Sequence, residues 1–276
     1  MSKKKKKSFQ LSTLPFIIVS IITLVFALIK TTSSETKDIY VKVKISQGFW
    51  WASTAKPNIW FAQGIKKNDI EYNLLKKPIA KILEVRYYPF SLKDDTYDIY
   101  IKVKLTASYD KRKNQYVFKR SGVVIGAPIE FETSGAQISG TVIEISENEF
   151  ENKYVEKVVT FLDEGAYTSD NPYLYNSIQI GDQYFDGEEV VFEVIDKQLR
   201  KTVLLANDQY GNIYGRQIPS VQNILITAKM IANERGDYLY FGEEKLLTVG
   251  SSIFISAANF KLDDGFIIGE INEFNQ

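Results

Sequence analysis

The sequence predicts an all-β body behind a single N-terminal transmembrane helix, and three observations carry that expectation. Period-two apolar runs fill the chain after residue 38, as strands require. Tyr and Phe number 17 each against 7 prolines, and with abundant Ile and Val they favour a pleated, half-buried backbone over helix. One uninterrupted apolar stretch stands near the start.

In chain order, residues 1–10 form a basic tail with Lys3, Lys4, Lys5, Lys6 and Lys7 in a row. Residues 11–30 read as the transmembrane helix. From Leu14 to Ile29 only Ser20 and Thr23 are polar, close to the ~20 apolar residues that cross ~30 Å of hydrocarbon. Thr13 suits a helix N-cap, and Pro15 falls in the first turn, where a missing N–H matters little. Five lysines before the run and one after it assign the N-terminus to the cytoplasm and everything beyond Lys30 to the outside. The length of the run and the lack of an A-x-A-like site favour a retained signal-anchor over a cleaved signal peptide. The expected location is therefore the plasma membrane, single-pass, with the bilayer contacted through residues 11–30.

Residues 31–38 read as a short polar stalk. Residues 39–45 and 99–105 alternate apolar and basic positions, the pattern of strands with one solvated face. Beyond the anchor no segment carries a convincing helical period; residues 147–160 come nearest and read as a polar linker running into a strand.

Internal repetition organises the rest. Residues 99–107 recur at 224–232, residues 123–131 at 247–255, and the phrase from Gly140 to Ile145 recurs between Gly265 and Ile271. Upstream, the segment from Pro57 to Asp69 resembles that from Pro172 to Asp182. Two tandem β-barrel-like or sandwich-like domains follow, 39–146 and 155–276, joined by a linker at 147–154. Gly126, Gly140, Gly181, Gly250 and Gly265 read as structural turn residues, where positive φ or a bulge lets a strand double back.

The phrase Ile125-Gly126-Ala127-Pro128-Ile129-Glu130-Phe131, followed by Ser139-Gly140-Thr141-Val142-Ile143-Glu144-Ile145 behind a lysine-led span, resembles anchored bacterial β-domain families of unknown function. It is also distantly similar to the mammalian-cell-entry (lipid-transport) domain, through Gly126, Pro128, Phe131, Gly140, Val142 and Ile145. The second copy departs from that pattern, with Ser252 in place of the proline and a longer gap before Gly265. The long C-terminal helix of tube-forming entry proteins has no counterpart. The resemblance implies handling of lipids or other hydrophobic ligands in the envelope.

Inventory narrows the chemistry. The chain has no Cys and no His, which removes thiolate nucleophiles, imidazole bases and the usual zinc ligands, so no metal and no cofactor are expected. Without the six lysines of residues 1–30, the body holds 28 bases against 34 acids, a balance that argues against nucleic acid. Asp163-Glu164, Asp186 with Glu188-Glu189, and Asp263-Asp264 are acidic pairs in loop-like surroundings, open to a carboxylate-dependent hydrolase but better explained as turns.

One cluster offers binding residues. Phe49, Trp50, Trp51, Trp60 and Phe61 bring all three tryptophans within twelve residues, either as core or as a docking patch for a partner or membrane. The function expected is non-enzymatic binding or scaffolding at the cell envelope, with a homo-oligomer or an envelope protein as partner. Lipid handling is the alternative and hydrolysis the third reading.

Overall fold

The computed structural model describes residues 18–23, 36–45, 56–93, 95–168, 172–207, 210–263 and 265–274. The body is all-β and forms two curled, barrel-like sheets. The first holds β1 (Thr36–Ile45), β2 (Ile70–Tyr72), β3 (Pro78–Ser91), β4 (Thr96–Asp110), β5 (Gln115–Phe118), β6 (Ser121–Val123), β7 (Pro128–Glu132) and β8 (Gln137–Ser146). A short helix, α1 (Ile59–Gly64), precedes β2. The second holds β9 (Lys153–Thr168), β10 (Gln183–Phe185), β11 (Val190–Asn207), β12 (Ile213–Arg235), β13 (Tyr238–Phe241), β14 (Lys245–Leu246) and β17 (Phe266–Glu273). There α2 (Tyr173–Ser177) precedes β10, and β15 (Ile255–Ser256) pairs with β16 (Lys261–Leu262).

Alternation sets the cores. On β1 the side chains of Ile39, Val41, Val43 and Ile45 all point inward and are buried, meeting Ile99, Ile101, Val103 and Leu105 of the antiparallel β4. In the second sheet Val159 and Phe161 of β9 meet Ile224, Ile226 and Ala228 of β12 in the same way.

The two sheets share one strand order. The first runs β2-β3-β4-β1-β8 and the second β10-β11-β12-β9-β17, with β5 and β13 each paired to the preceding long strand. Their irregularities match as well. Register shifts between Ile82 and Glu84 and between Lys42 and Val43 recur between Val194 and Asp196 and between Ile268 and Glu270. Gly126 donates its N–H to the Val142 carbonyl (2.8 Å) with φ 86°, and Gly250 donates to Ile268 (2.7 Å) with φ 85°. Asp69 donates to Lys66 and Asp182 to Gln179 in equivalent turns, the second containing Gly181 at φ 91°.

Several expectations need correction. Gly140 and Gly265 do not correspond. Gly140 pairs with Ile45, where an added Cβ would lie 2.6 Å from the Lys44 carbonyl, and the matching ladder position is Phe266, opposite Asp163. Gly265 sits one residue earlier, in the turn before β17. Neither of these two glycines has positive φ, so their role is close approach and turn entry. β1 begins at Thr36, so the strand takes three residues of the expected stalk, which ladder with Thr106, Ala107 and Ser108. α1 and α2 are helical where no helical period was legible, because five or six residues are under two turns.

Among the described residues no helix is long and apolar enough to cross a membrane. Residues 18–23 are helical with Ile18, Val19, Ile21 and Ile22 exposed; the rest of the expected 11–30 span lies outside the described residues.

The β11–β12 hairpin is much longer than its counterpart. β3 and β4 turn after Ser91, whereas β11 and β12 continue their ladder from Val203 opposite Gln217 out to Asn207 opposite Ile213. Among the described residues no third strand flanks that extension.

Candidate functional site

Two of the alternating lysines of the first sheet, Lys42 and Lys102, do not face water. On its outer face, cross-strand register aligns Lys42 with Lys102 and Lys44 with Tyr100, while β3 adds Glu84, Arg86 and Tyr88. Lys42 is only 3% exposed and Lys102 is buried, because the second half covers this face. Like charges directly opposite repel. The repulsion is offset by acids: Glu84 pairs with Lys102 (2.6 Å), and Lys42 pairs with Glu144 (3.1 Å) and Glu243 (2.8 Å).

Two turns of the second half supply the cover, and both read Gly-Glu-Glu. The first, Gly187-Glu188-Glu189, follows Asp186, which is fully buried. Asp186 Oδ2 accepts from Arg86 Nη1 and from the Tyr88 hydroxyl, both at 2.7 Å. Its Oδ1 accepts from the N–H groups of Glu188 and Glu189, and its carbonyl accepts from the Tyr87 N–H. Glu189 takes another Arg86 nitrogen at 2.9 Å, and Glu188 Oε1 accepts from the Val85 N–H. The guanidinium also stacks over the Tyr154 ring at 4.6 Å. With both Asp186 oxygens accepting two bonds each and all three Arg86 nitrogens paired with acids, this charge cluster tolerates burial.

Electrostatics follow from that packing. Burial works against the Arg86 charge, but Asp186, Tyr88, Tyr154 and Glu84 together outweigh it and hold the guanidinium above its ordinary value. Burial and then the Asp186 charge push the Tyr88 hydroxyl well up. Burial lifts the Tyr154 hydroxyl to about 12, with Arg86 opposing. Burial also acts to raise Glu84, yet Lys102 and Arg86 leave its carboxyl below the usual range.

The second turn, Gly242-Glu243-Glu244, seats its glycine against the Tyr88 ring, where an added Cβ would lie 2.8 Å from ring carbons. Beside it a cleft of about 330 Å³ opens between the halves, walled by Phe90, Tyr100, Phe241 and Phe254 with Asp98 and Glu244 among them. Lys44 pairs with Asp98 and Glu244 (3.4 and 2.5 Å), and Lys56 pairs with Asp98 (2.5 Å) while lying 4.4 Å from the Phe90 ring centre. Glu243 answers Lys42 and Arg235. Each acid of the cleft is thus matched by a cation, an arrangement suited to holding shape.

The tryptophan cluster divides. Phe49, Trp50 and Trp51 lie outside the described residues. Trp60 stands on α1 and is 61% exposed, edge-on to Phe61, which packs against the first core. Of the described residues nearest in sequence, Ile45 is buried in the first core opposite Ile99, and Lys56 holds Asp98 of the cleft wall.

Of the acidic pairs, Asp186 with Glu188 and Glu189 belongs to the seam. One member from each of the other two comes together at the start of β17. Burial first, and the Asp263 charge second, raise the Asp163 carboxyl above its ordinary value. Among the described residues no group of three or more acids is arranged to hold a metal ion. The residues that carried the domain resemblance, from Gly126 to Ile145, form the β7–β8 hairpin.

Sequence reasoning missed Arg86, Tyr88, Tyr100 and Glu243. A signal was present: Gly-Glu-Glu occurs twice in the second half, at turns that meet the lysine-bearing strands. No family model, curated protein or solved structure matches the chain.

Proposed function

We propose that this chain is a membrane-anchored, extracytoplasmic binding or scaffolding protein of the cell envelope that works without catalysis. The anchor is the lysine-led apolar run at 11–30, and the body lies outside the plasma membrane. The recognition surface is the rim of the aromatic cleft together with Trp60; Phe49, Trp50 and Trp51 join it on sequence grounds alone.

The observation that carries this reading is Trp60, which stands exposed on a short helix of the first half, just after Lys56, whose ammonium pairs with Asp98 of the cleft wall. A large exposed indole on a rigid element is the kind of residue on which interface energy concentrates. At the cleft, the ion-paired Asp98, Glu243 and Glu244 favour this over hydrolysis, since a glycosidic acid needs surroundings that keep it protonated.

The test has two parts. A reporter fused after Gln276 should be active only outside the cytoplasm, and cytoplasmic activity would reverse the topology. A photo-crosslinking residue placed at Trp60 in membranes should yield a discrete adduct that the same residue at exposed Tyr238 does not. A match between the two positions would remove Trp60 from the proposed surface.

A further inference from the structure

Two parts of the internal seam, the Asp186 turn and the face it covers, have equivalents that the chain leaves open. The Asp186 turn is matched in the first half by the β2–β3 turn. Asn73 Oδ1 accepts from the N–H groups of Leu75 (2.9 Å) and Lys77 (3.0 Å), as Asp186 Oδ1 does from those of Glu188 and Glu189. That first-half turn reaches into solvent: Leu74 is fully exposed and Leu75 is 77% exposed.

The covered face has its counterpart in the second sheet. The row Arg86, Tyr100, Lys44, Thr141 across β3, β4, β1 and β8 corresponds by register to Gln198, Leu225, Leu162, Ile267 across β11, β12, β9 and β17. Leu162, Leu225 and Ile267 remain partly exposed and Gln198 is exposed.

Chemistry changes on both sides together. Inside the chain, acidic turns meet a basic face. At the open positions the turn reads Leu74-Leu75-Lys76-Lys77, and the face offers an apolar row flanked by Asp196 and Glu270, which stand where Glu84 and Glu144 stand in the first sheet. Apolar tip matches apolar row, and lysines match acids.

We infer that a second copy of this chain occupies the open face, its Asn73–Lys77 turn seated on the β11-β12-β9-β17 row, so that molecules join head to tail. Such an interface is heterologous and leads to open chains or closed rings rather than a two-fold dimer. It stands apart from the proposed tryptophan surface, so either can fail alone.

The cysteine-free chain makes the test clean. Full-length Lys77→Cys and Gln198→Cys, both at exposed positions, are purified in detergent micelles and oxidised separately and mixed. Mixing should give a disulfide-linked dimer that neither variant forms alone, and the double variant should give a ladder of larger species. Adding Leu74→Asp and Leu75→Asp to the Lys77→Cys partner should cut linkage by about tenfold or more, with the melting temperature reporting an intact fold. Linkage in the mixture no greater than in the separate variants would overturn the inference. So would Gln198→Cys linking to itself, which would mean that two faces meet.

Discussion

Arg86 and Asp186 show how much of this molecule rests on single side chains. Each is buried, each answers the other, and each makes further bonds across the seam. Removing one partner leaves an unmatched charge in a site that excludes water. Arg86→Ala or Asp186→Ala should therefore destabilise the protein by about 3–5 kcal/mol. The pair Arg86→Met with Asp186→Leu should lose much less than the sum of the singles, which a denaturant double-mutant cycle measures. Glu84 adds a pH dependence. Its carboxyl is depressed in the fold, so its contribution is present above the ordinary carboxylate range and is lost as pH falls through the depressed value. Glu84→Gln should accordingly be less stable than the parent at neutral pH, and the difference should shrink in acid. A gap that widens on acidification would contradict the assignment of Lys102 and Arg86 as its partners.

At the scale of elements, the turns decide which surfaces meet. Gly187 combines φ 111° with a backbone so near β3 that an added Cβ would lie 2.4 Å from the Val85 carbonyl. Gly126 has φ 86° but open space around its Cβ position. Gly126→Ala should cost about 1 kcal/mol through backbone strain alone. Gly187→Ala should cost about 2–3 kcal/mol, because strain is joined by displacement of the turn from the sheet. Thermal melts of the two variants distinguish these effects, and equal losses would mean that the close approach carries no weight. Strands were the most legible part of the sequence, since inward Ile39, Val41, Val43 and Ile45 impose their period whatever lies outside. The outer face was not legible. A lysine at every second position looks the same whether it meets water or an acidic turn from 100 or 200 residues away, and only the recurrence of Gly-Glu-Glu distinguishes the two. Trp60 stood out by composition, but its exposure depends on which side of a six-residue helix meets the core, and so short a helix carries no readable stripe.

Across the whole molecule, equivalent halves are made unequal by what they cover. The first sheet is covered on its inner face by its own core and, around Arg86, Lys102 and Lys42, on its outer face by its sibling, while the second keeps the matching outer positions open. The same inequality shows in the β11–β12 hairpin, whose outer part continues past the turn of β3 and β4 with no flanking strand among the described residues. With β12 starting eight residues before the position matching the start of β4, the extension projects by roughly 25 Å. Tyr210 and Ile213 near its end are exposed. Such a ribbon is where a protease finds backbone without first opening a core. Brief chymotrypsin treatment should cut between Val203 and Ser220 before any other site in residues 36–274. Because β11 and β12 remain laddered from Phe192 to Lys201 below the cut, the two pieces should stay together until denaturant separates them. A nicked chain that holds its shape would then be a convenient split protein, divided at a place where the fold has already left the chain ends in the open.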